Sequence, residues 1–98
     1  MNGSGTLIYR RGGTNPSNLR PRAVDQGRLS FWTSLDPPVR ADEPPRFPPG
    51  SDYFVVDTRW LPPGSVVHDA EPPGHVSVID VPAEVVRDAI VERGRIPR

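Results

Sequence analysis

Cysteine and lysine are both missing from this 98-residue chain, and so is any apolar run of the roughly 18 to 20 residues that crosses a bilayer. Without cysteine there is no disulfide framework and no thiolate metal site, and His68 and His75 alone fall short of a structural zinc set. Folding must rest on burial and hydrogen bonds. The first residues lack the basic-then-apolar order of a signal peptide, so the expectation is a soluble protein with no membrane partner, its location left open. The absence of lysine makes all 12 basic residues arginine, a usage that GC-rich coding explains by itself. The 12 acidic residues bring the net charge to zero, which is too balanced for a protein that coats nucleic acid. The balance is uneven along the chain. Residues 1 to 28 carry Arg10, Arg11, Arg20, Arg22 and Arg28 against Asp25 alone, a basic stretch suited to a phosphate-bearing ligand.

Proline and glycine are plentiful instead, at 14 and 9 residues, and they leave no room for an ordinary helix before residue 82. The fold class expected is α+β, mostly β, with short strands and one C-terminal helix. Residues 1 to 5, small and glycine-rich, read as a linker or expression remnant, and 6 to 98 as a single domain. Strands are predicted at 7–9, 29–33, 53–57, 66–68 and 75–79, where apolar residues alternate or cluster between turn signals. Residues 14 to 28 read as a polar connection. The stretch 36–50, with Pro37, Pro38, Pro44, Pro45, Pro48 and Pro49, reads as an irregular loop or lid. A helix is predicted over 82–93, N-capped by Asp80 and stopped by Gly94, with Val85, Val86, Ala89 and Ile90 forming its core-facing stripe.

Three short motifs carry chemistry. Tyr9-Arg10-Arg11-Gly12-Gly13 puts a guanidinium at a strand end beside glycines that allow close backbone approach, a phosphate clamp or simply an exposed turn. Strand alternation sends Arg10 and Arg11 to opposite faces, so only one is expected in a cleft, with Arg11 as the fallback. In Arg28-Leu29-Ser30-Phe31-Trp32-Thr33-Ser34, hydroxyls beside an indole suit a flat hydrogen-bonding ring, or a plain strand with Phe31 in the core. In Pro73-Gly74-His75-Val76-Ser77, His75 can bond a ribose hydroxyl or act as a base near neutral pH, or be a satisfied half-buried side chain.

Taken in this order, the motifs resemble the active-site pattern of ADP-ribosyltransferases, especially the compact toxin domains of bacterial polymorphic toxins of the Rhs and type VI secretion kind. The resemblance spans roughly residues 6 to 80. It implies a compact split-sheet fold around NAD, with catalytic roles for Arg10, Ser30 and His75. Tyr9, Arg10, Arg11, Gly12, Phe31, Trp32 and Ser34 are then NAD-binding. The implied protein is an antibacterial effector, a transferase using NAD as substrate on a protein or RNA acceptor in a bacterial cytoplasm, reached after secretion and countered by an immunity protein. The family's third strand carries a catalytic glutamate. Here His75 and Ser77 stand in those places, and Glu71 and Asp80 are the nearest carboxylates. Hydrolysis of NAD on the same fold, and a non-enzymatic module docking a protein through residues 36–50 or a sheet edge, are the alternatives.

Overall fold

Six antiparallel strands make one sheet in the computed structural model, which describes residues 5–20 and 27–98. In chain order the elements are β1 (Leu7–Arg11), α1 (Pro16–Leu19), β2 (Arg28–Trp32), β3 (Asp52–Asp57), β4 (Val66–Val67), β5 (His75–Ile79), α2 (Ala83–Asp88) and β6 (Ile90–Arg95). The sheet order is β4-β5-β2-β1-β3-β6. No helix among the described residues is long and apolar enough to cross a membrane.

The alternating residues of the central strands create the core. Leu29 pairs with Val78, Phe31 with Val76 and Ile8 with Val56, so one face of the sheet is continuously apolar. Phe31 and Phe54 meet edge to face at 6.0 Å between ring centroids, both fully buried. Leu19 of α1, Val86 of α2 and Ala89 at its C-cap close over this face. Val85 and Ile90 pack against its margin, so the predicted stripe does face the core.

All five strands predicted from the sequence form, within a residue or two of their expected ends. The helical expectations need correction. Among the described residues there are two α-helices, not one, besides a 3-10 turn at Thr58–Trp60, and the second ends at Asp88 instead of running to residue 93. Beyond Ala89 the β-branched Ile90 and Val91 go extended, because the free edge of β3 offers backbone partners that a further helical turn would forgo. The turnover is marked by the Asp57 N–H donating to the Ala89 carbonyl at 3.1 Å and by a bulge at Val55/Val56. Gly94 is therefore a strand residue opposite Tyr53, whose ring crosses the place a side chain would fill. Asp80 is not the cap of α2. Pro82 holds that position, while Asp80 sits at φ 54 with its N–H on the Gly27 carbonyl. The connection predicted to be merely polar contains α1, capped by the Asn15 side chain accepting from the Asn18 N–H at 3.1 Å.

One junction in the sheet is thin. Strands β1 and β2 share the single registered pair Tyr9↔Trp32, whereas β1 pairs with β3 along its whole length. That junction is a central seam of the single six-stranded sheet, with β4-β5-β2 on one side and β1-β3-β6 on the other.

Candidate functional site

The Thr33 N–H donates to Gly74 O at 2.9 Å, which fixes the parity of β2: Ser30 and Trp32 turn their backbone groups away from β5 and toward β1. Because β1 leaves the seam open there, the Ser30 carbonyl has no strand N–H to meet. Arg10 fills the gap. Its Nη1 donates to Ser30 O at 2.9 Å, its Nε to Asn18 O at 3.0 Å and its Nη2 to Asn18 Oδ1 at 3.0 Å. Asn18 in turn donates through Nδ2 to Gly13 O at 2.7 Å, so the short helix α1 serves to aim one guanidinium across the seam. The same guanidinium lies 5.9 Å from the Phe31 ring centroid.

A second set of bonds runs from β2 to β5. Ser30 faces Ser77, and Trp32 faces His75, across the register. His75 Nε2 is 3.0 Å from Ser30 Oγ, and His75 Nδ1 is 2.7 Å from Asp69 Oδ1. Ser77 Oγ donates to Asp69 Oδ2 at 2.7 Å, and the Trp32 ring stands edge-on to the imidazole at 5.1 Å. The result is an unbroken chain, Asp69–His75–Ser30. The hydrogen bond from His75, then that from Ser77, holds the Asp69 carboxyl below its ordinary 3.8. An ionised carboxylate can only accept, so Nδ1 carries the proton in the neutral ring, and Nε2 accepts from the Ser30 hydroxyl.

The lowered Asp69 value has a consequence for stability. A carboxyl more acidic in the folded state stabilises the fold above its unfolded pKa, and that contribution disappears as pH falls through the lowered folded value. Asp69→Asn is therefore expected to flatten acid unfolding below about pH 4 relative to the parent, read by circular dichroism across a pH series. Identical acid limbs in the two proteins would contradict the assignment.

A cavity of about 440 Å³ opens beside this chain, lined by Arg10, Asn18, Ser30 and Trp32 from the sheet side and closed by Glu43, Pro44, Pro45 and Arg46. Arg11 also lines it, so both arginines of the doublet reach the cavity: Arg11 is still paired in register with Tyr53, and Arg10, opposite Phe54 and against the Phe31 ring, gets there by crossing the seam to Ser30 O. The proline-rich loop folds onto the site. Phe47 anchors it in the interior, and the Arg46 guanidinium lies 4.8 Å over the Trp32 ring. Arg46 pairs with Glu43 at 3.6 Å, yet its Nε is buried without a hydrogen-bond partner.

Of the residues expected from sequence, Arg10 and His75 each bond Ser30, the first at its carbonyl and the second at its hydroxyl, without touching each other. Arg10, Arg11, Ser30 and Trp32 line the cavity, and His75 stands behind Ser30 without lining it. Others lie elsewhere. Phe31 points to the opposite face and is wholly buried, so it is core and not a ligand contact. Gly12 donates to Asp52 O and borders a separate hollow with Tyr53 and Arg93. Ser34 accepts from the Asp36 N–H at 3.3 Å in the turn after β2. Tyr9 shares the face of Trp32 through their pairing but does not line the cavity. Asp69, Asn18 and Arg46 were not legible as site residues. Glu71 and Asp80, the carboxylates nearest His75 in the sequence, are not its partners; Asp69 is, because the turn closed by Ala70 N–H to His75 O and His75 N–H to Pro72 O folds it back. Comparison with known proteins returns no matching family model, no matching curated protein and no matching solved structure.

Proposed function

We propose that this chain is an ADP-ribosyltransferase-like domain that takes NAD as substrate in the cavity at the β1/β2 seam, and that it acts as a bacterial toxin on a macromolecular acceptor. The observation that carries the reading is Ser30, bonded at its carbonyl by Arg10 and at its hydroxyl by His75 from two other strands, beside a cavity with Arg11, Arg46 and Trp32. Guanidinium groups suit a pyrophosphate, and the unpartnered Nε of Arg46 is a donor in search of an acceptor. The indole gives a flat surface for a ring.

The chemistry follows from charge. As the bond between ribose C1′ and nicotinamide breaks, positive charge grows on the ribose, and the leaving nicotinamide takes the electron pair. The protein's part is to hold the pyrophosphate through Arg10, Arg11 and Arg46 and to orient the ribose with the Ser30 hydroxyl, so that binding far from the reacting bond sets its geometry. The docking-module alternative gains nothing from the loop 36–50, which is packed on the site through Phe47 and Arg46 and is not a free segment.

Incubation with NAD labelled in the adenylate part, together with a bacterial lysate, is expected to label a macromolecule and to release nicotinamide. Digestion with protease or with ribonuclease then tells a protein acceptor from an RNA. Label confined to free ADP-ribose would assign hydrolysis, and neither label transfer nor nicotinamide release would overturn the NAD reading.

A further inference from the structure

The chain Asp69–His75–Ser30 does more than position a ribose. We propose that it is a proton relay that makes a neutral hydroxyl group the acceptor for ADP-ribose at this site, an inference that rests on the NAD reading above. Asp69 Oδ1 lies 2.7 Å from His75 Nδ1, and His75 Nε2 lies 3.0 Å from Ser30 Oγ. The exposed Ser30 thus donates inward, and its oxygen lone pairs are left to accept a hydrogen bond from a group outside the chain. Ser77 fixes the second carboxylate oxygen at 2.7 Å, and the edge of Trp32 stands against the ring, so the imidazole is held in one orientation.

The acceptor class follows from which nucleophiles need such a relay. A carboxylate or thiolate has no proton to lose as it attacks. A hydroxyl does, because its own pKa lies far above neutral. A guanidinium or ammonium acceptor also carries a proton to be removed, but Arg10, Arg11 and Arg46 line the cavity against Glu43 alone and repel a cation. In the step, the acceptor oxygen bonds to ribose C1′ as the bond from C1′ to nicotinamide breaks, and its electron pair leaves with neutral nicotinamide. The acceptor's proton passes to Ser30 Oγ while the Ser30 proton moves to His75 Nε2, and the imidazolium formed is paired with Asp69. Water is the smallest hydroxyl of this class, so hydrolysis and O-linked transfer share one mechanism.

Asp69 acts through His75 and is a positioning residue. The charged groups around the imidazole are Asp69 from the preceding turn, Arg10 from β1 on the far side of Ser30, and Arg46 from the proline-rich loop beyond Trp32. The test uses methanol as the probe hydroxyl and agmatine as the probe guanidine, each incubated with the whole chain and NAD, with products separated by chromatography. Methyl-ADP-ribose is expected from methanol and no adduct from agmatine. His75→Asn is expected to lower nicotinamide release about 100-fold with NAD affinity kept. In Asp69→Asn, which loses the carboxylate that orients the ring, kcat should fall with KM for NAD kept. An agmatine adduct without a methanol adduct, or an unchanged kcat in both variants, would overturn the relay while leaving NAD as substrate. Failure to bind NAD at all would overturn the NAD reading and the relay with it. Should Asp69→Asn fail to fold, Ser77→Ala, which frees the second oxygen of the Asp69 carboxylate while keeping His75, is expected to lower kcat in the same direction.

Discussion

Phe31→Ala is expected to remove a large share of the stability of this domain. The ring is fully buried, meets Phe54 edge to face and lies beneath the Arg10 guanidinium, so its loss leaves a cavity at the middle of the sheet. Truncations of this kind cost about 3 to 5 kcal/mol, against a total of about 5 to 15 kcal/mol for an ordinary domain. At this chain length each kcal/mol moves the melting point by about 4 to 8 °C, so a fall of well over 10 °C is expected by calorimetry or circular dichroism. A shift of only a degree or two would mean that Phe31 is not a core residue, and the face assigned to Ser30 and Trp32 would have to be reversed.

Arg10→Ala is expected to weaken NAD binding at least about tenfold, since one charge-assisted hydrogen bond is worth about 1.5 to 3 kcal/mol. The same substitution removes the bonds from Arg10 to Ser30 O, Asn18 O and Asn18 Oδ1, so the seam and α1 should loosen as well. Two measurements separate these effects. Calorimetric titration with NAD reads the affinity, and thermal unfolding without ligand reads the structural share. Arg10→Lys keeps the charge but cannot bridge Asn18 and Ser30 at once, so it should recover little of either. Unchanged NAD affinity in both variants would place the pyrophosphate elsewhere.

The strands were legible because their signal is local. Leu29, Phe31, Val76 and Val78 alternate with polar residues, and the Pro-Gly turns mark where each run must end. The error over Ile90–Arg95 has the opposite origin. Ala83 to Asp88 does form a helix, and nothing local says that it stops there; the stop comes from the unpaired edge of β3, which is remote in sequence. The site divides in the same way. Arg10, Ser30 and His75 were found because each sits in a short motif. Asp69 and Asn18 were missed because their importance lies in turns that bring them back to His75 and Arg10. Arg46 could not be placed from a run of prolines whose path over Trp32 is set by the burial of Phe47. The expectation that only one of Arg10 and Arg11 would enter the cleft took the sheet as closed, whereas the thin β1–β2 junction lets Arg10 cross to Ser30 O.

The central claim is that residues from β1, β2 and the proline-rich loop form one cleft for NAD, with His75 of β5 behind Ser30, and a titration of the isotopically labelled protein with NAD, followed by nuclear magnetic resonance, tests it most directly. The account predicts dose-dependent shifts at Arg10, Arg11, Ser30, Trp32, His75 and Arg46, with the hollow around Gly12, Tyr53 and Arg93 left still. Shifts confined to that hollow, or none at millimolar NAD, would contradict it.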